Sequence, residues 1–291
     1  MTATRRTILV VQTLPTRTTT AELLENCRGV LLDIFGVLID AGGVLPGAVE
    51  LLAEIRRRGT PYALVTNDAS RTVATYVHHL SALGIFVDPA RLVTSGSLIP
   101  SYFASRALQG ARVAVLGTHD SAEYVRVAGG NVVPLKPGVE LDVLAVCDDA
   151  GEEFLAPVEW ALSAVVRALQ ANRRPTLLLP NPDLVYPKGA GELGLTAGAI
   201  ALMIEGALAQ RFPREQLVFD RLGKPERHLF EEAARRLGLR PEGLVMIGDQ
   251  LSTDIAGAIA AGCDSALLLG DSIWDPTSAV MPTWLLESLW P

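Results

Sequence analysis

Apolar residues in this chain fall into short continuous runs, and between the runs they recur every three to four positions. GVLLDIFGVLI, from Gly29, is such a run, and PYALVTN, from Pro61, is a second. AGGVLPGAVELLAEIRRRG lies between them: a Gly/Pro turn opens an amphipathic helix and Gly59 closes it. DASRTVATYVHHLSALG follows with helical spacing. The alternation returns late in the chain, with PERHLFEEAARRLGL helical, GLVMIGD a strand, DIAGAIAAG a helix and DSALLLG a strand. Continuous apolar strands alternating with helices predict an α/β fold with a doubly wound parallel sheet, Rossmann-like, covered on both faces. Residues 1–20, rich in Thr and Arg, read as a loose arm ahead of a helical AELLENC.

Between the two halves of this pattern lies a stretch with its own strands, ARVAVLG, LDVLAVCD and PTLLLPNP, and its own helices, APVEWALSAVVRALQ and TAGAIALMIEGALAQ. It is enough for a second α/β unit set into the first. The expected organisation is a core of residues 1–96 and 217–291 and an inserted unit of 97–216, with boundaries good to about ten residues.

Composition narrows the function classes. A chain of 291 residues, 49% apolar, is long enough for two cores. Its net charge of −7 argues against a general nucleic-acid binder and leaves a small anionic substrate open. Cys27, Cys147 and Cys263 are odd in number, widely spaced and without a CxxC pair, which fits a reducing cytosol better than a disulfide framework or a zinc site. ILVVQTL near the start is too short for a signal peptide, and TAGAIALMIEGALAQ is interrupted by Glu205, so no membrane partner and a cytoplasmic location are expected.

Ligands of open parallel sheets bind at the carboxyl ends of the strands. Three strand candidates end there in polar residues: Asp33, then Thr66 and Asn67, then Asp249 with Asp254 five residues on. Lys224 stands in a Gly-Lys-Pro turn before the helix that leads to the third strand. Converging aspartates repel one another, and a hard divalent cation such as Mg2+ relieves this. A hydroxyl, backbone amides and an ammonium beside them suit a dianion such as a phosphoryl group. A single aspartate at a strand end more often caps a helix; four polar sites in chain order, Asp33, Thr66–Asn67, Lys224 and Asp249, outweigh that reading.

DIFGVL, LVTNDAS, GKPER and GDQLSTDI, in this order, resemble the four motifs of the haloacid dehalogenase (HAD) superfamily of hydrolases. The resemblance covers most of the chain. It is closest to the class IIA branch, whose α/β cap is inserted between the second and third motifs and carries an NPD-like triplet, here NPD at Asn181–Asp183. It implies a phosphohydrolase acting on a small phosphorylated metabolite, with Asp33 as the nucleophile that becomes an aspartyl-phosphate. It implies that Asp33, Asp249 and the backbone carbonyl of Phe35 bind magnesium, that Thr66, Asn67 and Lys224 hold the phosphoryl oxygens, and that Asp254 orients the loop from behind. Asn181 and Asp183 would lie near the substrate entrance. Caps of this branch often mediate homodimers.

Phe35 departs from the family pattern, which has a second aspartate there that protonates the leaving oxygen and later activates water. A phenyl ring does neither, and general acid–base catalysis is worth about 100- to 10,000-fold, or roughly 3 to 5 kcal/mol. Three readings follow: a phosphohydrolase that is slow or restricted to activated leaving groups, a phosphate-binding or regulatory protein that has lost turnover, and a dehalogenase-like hydrolase. The acidic GDQLSTDI motif weighs against the last. Asp68 is the candidate replacement acid, with a helix N-cap as its competing role.

Other signals carry less. GAGELG (189–194) satisfies GxGxxG, but a loop, NPDLVYPK, separates it from its strand, so it reads as a turn into the next helix and not as a dinucleotide site. His78 and His79 read as helix surface or packing residues, His119 and His228 lack metal-ligand neighbours, and the arginines 56–58 suit a helix C-terminus.

Overall fold

In the computed structural model, residues 14–148, 151, 154–270 and 274–291 are described. Seven parallel strands form the first sheet, in the order Thr16–Thr18, Trp284–Leu286, Asp264–Leu268, Leu244–Gly248, Gly29–Asp33, Tyr62–Thr66 and Leu92–Thr94. Gly29–Asp33 is central, with Leu32 opposite Ile247 on one side and Leu64 on the other. All five of its residues are buried.

Because side chains alternate across a strand, that apolar run feeds two cores. Val30 and Leu32 join a cluster with Leu51, Leu52 and Ile55 of the helix Ala48–Arg58 and with Tyr76 and Leu80 of the helix Val73–Ala82. Leu31 faces the other way, among Leu229, Phe230 and Ala233 of the helix His228–Leu237. Both faces of the sheet are therefore covered, which is why its strands read as unbroken apolar runs.

A second parallel sheet, ordered Asp220–Arg221, Thr176–Leu179, Val143–Val146, Arg112–Leu116 and Asn131–Val133, is built from the middle of the chain. The helices Leu155–Gln170 and Ala197–Arg211 bury Val158, Ala161, Ile200 and Ile204 against one of its faces. From the other face Val113, Val143, Ala145 and Leu178 join the cluster that holds Leu31, Val65 and Met246 of the first sheet. One apolar cluster thus spans both sheets.

Several expectations change. Residues 1–13 of the expected loose arm lie outside the described residues, but Thr16–Thr18 pairs with Trp284–Leu286 as an edge strand. It is held by backbone bonds without an apolar pattern. The second sheet takes its last strand, Asp220–Arg221, from beyond residue 216. Ile99–Arg106 is a helix whose Ile99 and Phe103 belong to the shared cluster. GAGELG does not turn into a helix: it forms the turn and second strand of an antiparallel hairpin, Val185–Gly189 with Glu192–Leu195. Among the described residues, no helix is long and apolar enough to cross a membrane.

Candidate active site

Three neighbouring strands deliver polar residues to one edge of the first sheet. Asp33 and Thr66 are the last residues of their strands, and Asp249 follows Gly248, the last of the third. Beyond Asp249 the chain makes a wide turn over Leu251–Ile255, in which Ile255 N–H donates to the Gln250 carbonyl at 3.2 Å, five residues back. This turn brings Asp254 inward, where it is fully buried.

Carboxylate oxygens of Asp33, Asp249 and Asp254 lie within 4.8 Å of one another. Lys224 Nζ reaches between them, 2.7 Å from Asp33 Oδ1 and 2.7 Å from Asp254 Oδ1. Ile34 N–H donates to Asp33 Oδ1 at 2.8 Å, and Gln250 N–H to Asp254 Oδ2 at 3.1 Å. Asp254, expected to orient the loop from behind, accepts from that loop's Gln250 N–H and also touches the Lys224 ammonium. After Asp33 the chain folds back through Gly36, whose φ is +91° and whose N–H donates to the Ile39 carbonyl at 2.8 Å. A Cβ on Gly36 would stand 2.3 Å from Asp249 Oδ2, so only glycine lets these two segments approach.

Three carboxylates and one ammonium sum to −2, and one ammonium cannot compensate every anion. Burial would depress the Lys224 ammonium, yet Asp254 and Asp33 hold it above its ordinary range. The surplus falls on the other groups: burial, then the Asp254 charge, raises Asp33 well above the usual carboxylate range and pushes Asp249 up to about 7. A divalent cation cancels a charge of −2, and buried carboxylate oxygens are the donors that magnesium prefers, so the residues present fit that ion.

Asn67 ties this cluster to the middle of the chain. Its Oδ1 accepts from Lys224 N–H at 2.6 Å, and its Nδ2 donates to the Lys224 carbonyl at 3.0 Å and to Asp183 Oδ1 at 2.8 Å. Ser95 Oγ donates to the Asn67 carbonyl at 2.6 Å. The Asp183 carboxyl, expected near the substrate entrance, is half-buried against Asn67, and desolvation raises it above its usual range. Asn181 Oδ1 accepts from Asp183 N–H at 3.0 Å, and Asn181 Nδ2 donates to Thr196 Oγ1 at 3.3 Å, so Asn181 shapes the turn that carries Asp183. The NPD triplet directly after a strand was the only sequence signal for this link.

Thr66 Oγ1 accepts from Asp68 N–H at 3.2 Å. Asp68 is not the expected helix N-cap: Thr72 caps that helix, accepting from Thr75 N–H. Asp68 Oδ1 instead accepts from Ser70 N–H at 2.6 Å and Ser70 Oγ at 2.7 Å, and its Oδ2 pairs with Arg71 at 2.8 Å. The Phe35 ring packs against the apolar cluster of the Ala48–Arg58 helix. The hairpin Val185–Leu195 reaches the same edge, where a Cβ on Gly189 would lie 3.3 Å from that of Ala41.

Sequence reasoning also missed a seam between the second motif and the second sheet. Ser121 Oγ donates to the Ala69 carbonyl at 2.8 Å, Thr72 N–H to Asp120 Oδ2 at 2.9 Å and Tyr124 OH to the Arg71 carbonyl at 2.9 Å, while Thr118 Oγ1 bonds the Ser70 carbonyl. All four residues from the insert lie at or within the helix His119–Val127.

Two family models match the chain: a haloacid dehalogenase-like hydrolase model over residues 30–131 and a HAD-hydrolase-like model over residues 221–290. The human glycerol-3-phosphate phosphatase is 30% identical, over 84% of this chain and 82% of its own. The dihydroxyacetone phosphatase of Corynebacterium glutamicum is 26% identical, over 82% and 79%. Among solved structures, a possible sugar phosphatase of the HAD superfamily from Cytophaga hutchinsonii superposes with a TM-score of 0.82 at 27% identity, over 95% of this chain and 99% of that one.

Proposed function

This chain belongs to the haloacid dehalogenase-like hydrolases, in their capped phosphatase branch, and from that membership we propose that it is a magnesium-dependent phosphohydrolase of a small phosphorylated metabolite, working through Asp33. The observation that carries the reading is the cluster of Asp33, Asp249 and Asp254 around Lys224 Nζ at the carboxyl edge of the sheet. The inserted unit, about 97–221, serves as the cap.

An Asp33 carboxylate oxygen attacks phosphorus and the bond from phosphorus to the leaving oxygen breaks, which gives an aspartyl-phosphate and the released alcohol or acid. Water then attacks the same phosphorus and frees inorganic phosphate and Asp33. Lys224, the Thr66 hydroxyl and the Asn67 amide N–H hold the phosphoryl oxygens, and Asp254 positions the ammonium. Magnesium, held by Asp33, Asp249 and the Phe35 carbonyl, would offset the negative charge that otherwise repels a phosphate dianion. Asp183 and Asn181 act through Asn67 and its turn.

Phe35 leaves the leaving oxygen without a proton donor at that position, and Asp68 is engaged by Ser70 and Arg71. The reading therefore favours leaving groups that depart unprotonated, such as the carboxylate of an acyl phosphate. Phe35 also favours a second reading, a phosphate-binding or regulatory protein without turnover. Hydrolysis of acetyl phosphate, p-nitrophenyl phosphate and glycerol 3-phosphate, with magnesium and with EDTA, separates the two. Magnesium-dependent turnover that is fastest on acetyl phosphate and abolished in Asp33→Asn is expected. Turnover unchanged in Asp33→Asn overturns the role of Asp33, and silence on all three with retained binding of a phosphate analogue favours the second reading.

A further inference from the structure

At the amino end of the first sheet, opposite the carboxylate cluster, a cavity of about 550 Å³ opens among Arg56, Thr60, Tyr62, Phe86, Asp88 and Arg91. Tyr62 begins the strand that Thr66 ends, which puts the two roughly 13 Å apart at about 3.3 Å per residue. The cavity is therefore separate from the site described above.

Its two guanidinium groups are held in place but not neutralised. Arg56 Nε donates to Tyr62 OH at 3.3 Å, and Arg56 Nη2 bonds the Phe86 carbonyl. Arg91 lies over the Tyr62 ring, 4.7 Å from its centre, and its Nη1 donates to the Tyr62 carbonyl at 3.1 Å. Neither makes an ion pair among the described residues, in contrast to Arg57 and Arg58 beside them, which both pair with Glu54. Each guanidinium has five donors, so the bonds named leave three on Arg56 and four on Arg91 for a ligand. Asp88, the acid in the lining, accepts from Ala90 N–H at 2.9 Å within its own turn. At the rim the Phe86 ring is 68% exposed and open to a ligand.

Fixed, fork-shaped donors suit phosphate oxygens, and because backbone carbonyls already orient them they lose little freedom on binding. An exposed aromatic face offers a stacking partner to a planar ring. We infer that this cavity is a second anion-binding site, for a ligand of the nucleotide class: a phosphate group on Arg56 and Arg91 and a planar ring on Phe86.

Titration calorimetry of the full chain with AMP and with inorganic phosphate, in EDTA to suppress turnover, tests the inference. AMP is expected to bind more tightly than phosphate, and its affinity to fall at least tenfold in Arg56→Gln and to be retained in Asp33→Asn. Phe86→Ala, which alters an exposed side chain and spares the core, should weaken AMP and leave phosphate unchanged. No binding of AMP at millimolar concentration, or equal affinity in wild type and Arg56→Gln, overturns the site. Phosphate binding as tightly as AMP, with Phe86→Ala silent, overturns the nucleotide assignment.

Discussion

Phe35 sets the chemistry at the scale of a single residue. Its ring packs on the core and offers no proton, so restoring a carboxyl there should restore acid–base help. Phe35→Asp is expected to raise kcat on glycerol 3-phosphate about tenfold or more while changing acetyl phosphate turnover little. The lost packing should lower stability by about 1 to 3 kcal/mol, measured by urea unfolding. An unchanged kcat on the monoester, in a folded variant, would mean that the pocket no longer accommodates that proton transfer. Residues at strand ends were the legible ones: an aspartate that closes an apolar run has few reasons to be there, and Asp33, Thr66 and Asp249 do share one edge. The bond from Asn67 to Asp183 was not legible, because it joins positions 116 residues apart and depends on how the two sheets sit together.

At the scale of elements, the site depends on a turn more than on a strand. Gly36 has to leave the strand direction at φ +91°, and a methyl group there would press on Asp249 Oδ2. Gly36→Ala should therefore cost about 2 kcal/mol or more of stability from backbone strain and crowding. It should also lower magnesium-dependent turnover at least tenfold, because Asp249 has to move. Wild-type-like unfolding midpoints and rates in this variant would show that the turn has room to spare. The same scale explains which elements the pattern predicted. Central strands and amphipathic helices bury apolar side chains and announce themselves by period, as Gly29–Asp33 and His228–Leu237 do. Thr16–Thr18 sits at a sheet edge and buries little, so its strand state comes from the neighbour's backbone and leaves no mark in the sequence.

Over the whole molecule, alternation of strands and helices pointed to two α/β units, and that pattern alone suggests two independent cores. The packing joins them instead. Val113, Tyr124, Val143, Cys147 and Leu178 from the middle of the chain share one buried cluster with Leu31, Val65 and Met246 of the first sheet and with Phe230 of the helix that covers it. Tyr124 adds a polar tie, with its hydroxyl 2.7 Å from Thr94 Oγ1 and 2.9 Å from the Arg71 carbonyl that it donates to. A unit that exposes this cluster on opening loses part of its own core, so neither sheet keeps its stability without the other. Heating is therefore expected to give one calorimetric transition, with the van't Hoff and calorimetric enthalpies equal. Tyr124→Phe, which keeps the ring and removes one partner each of the Thr94 hydroxyl and the Arg71 carbonyl, should lower stability by about 1 to 3 kcal/mol without splitting that transition. Two resolved transitions in the wild-type protein would show that the shared cluster opens before either sheet melts, and would leave the seam along His119–Val127 as a hinge between separately stable halves.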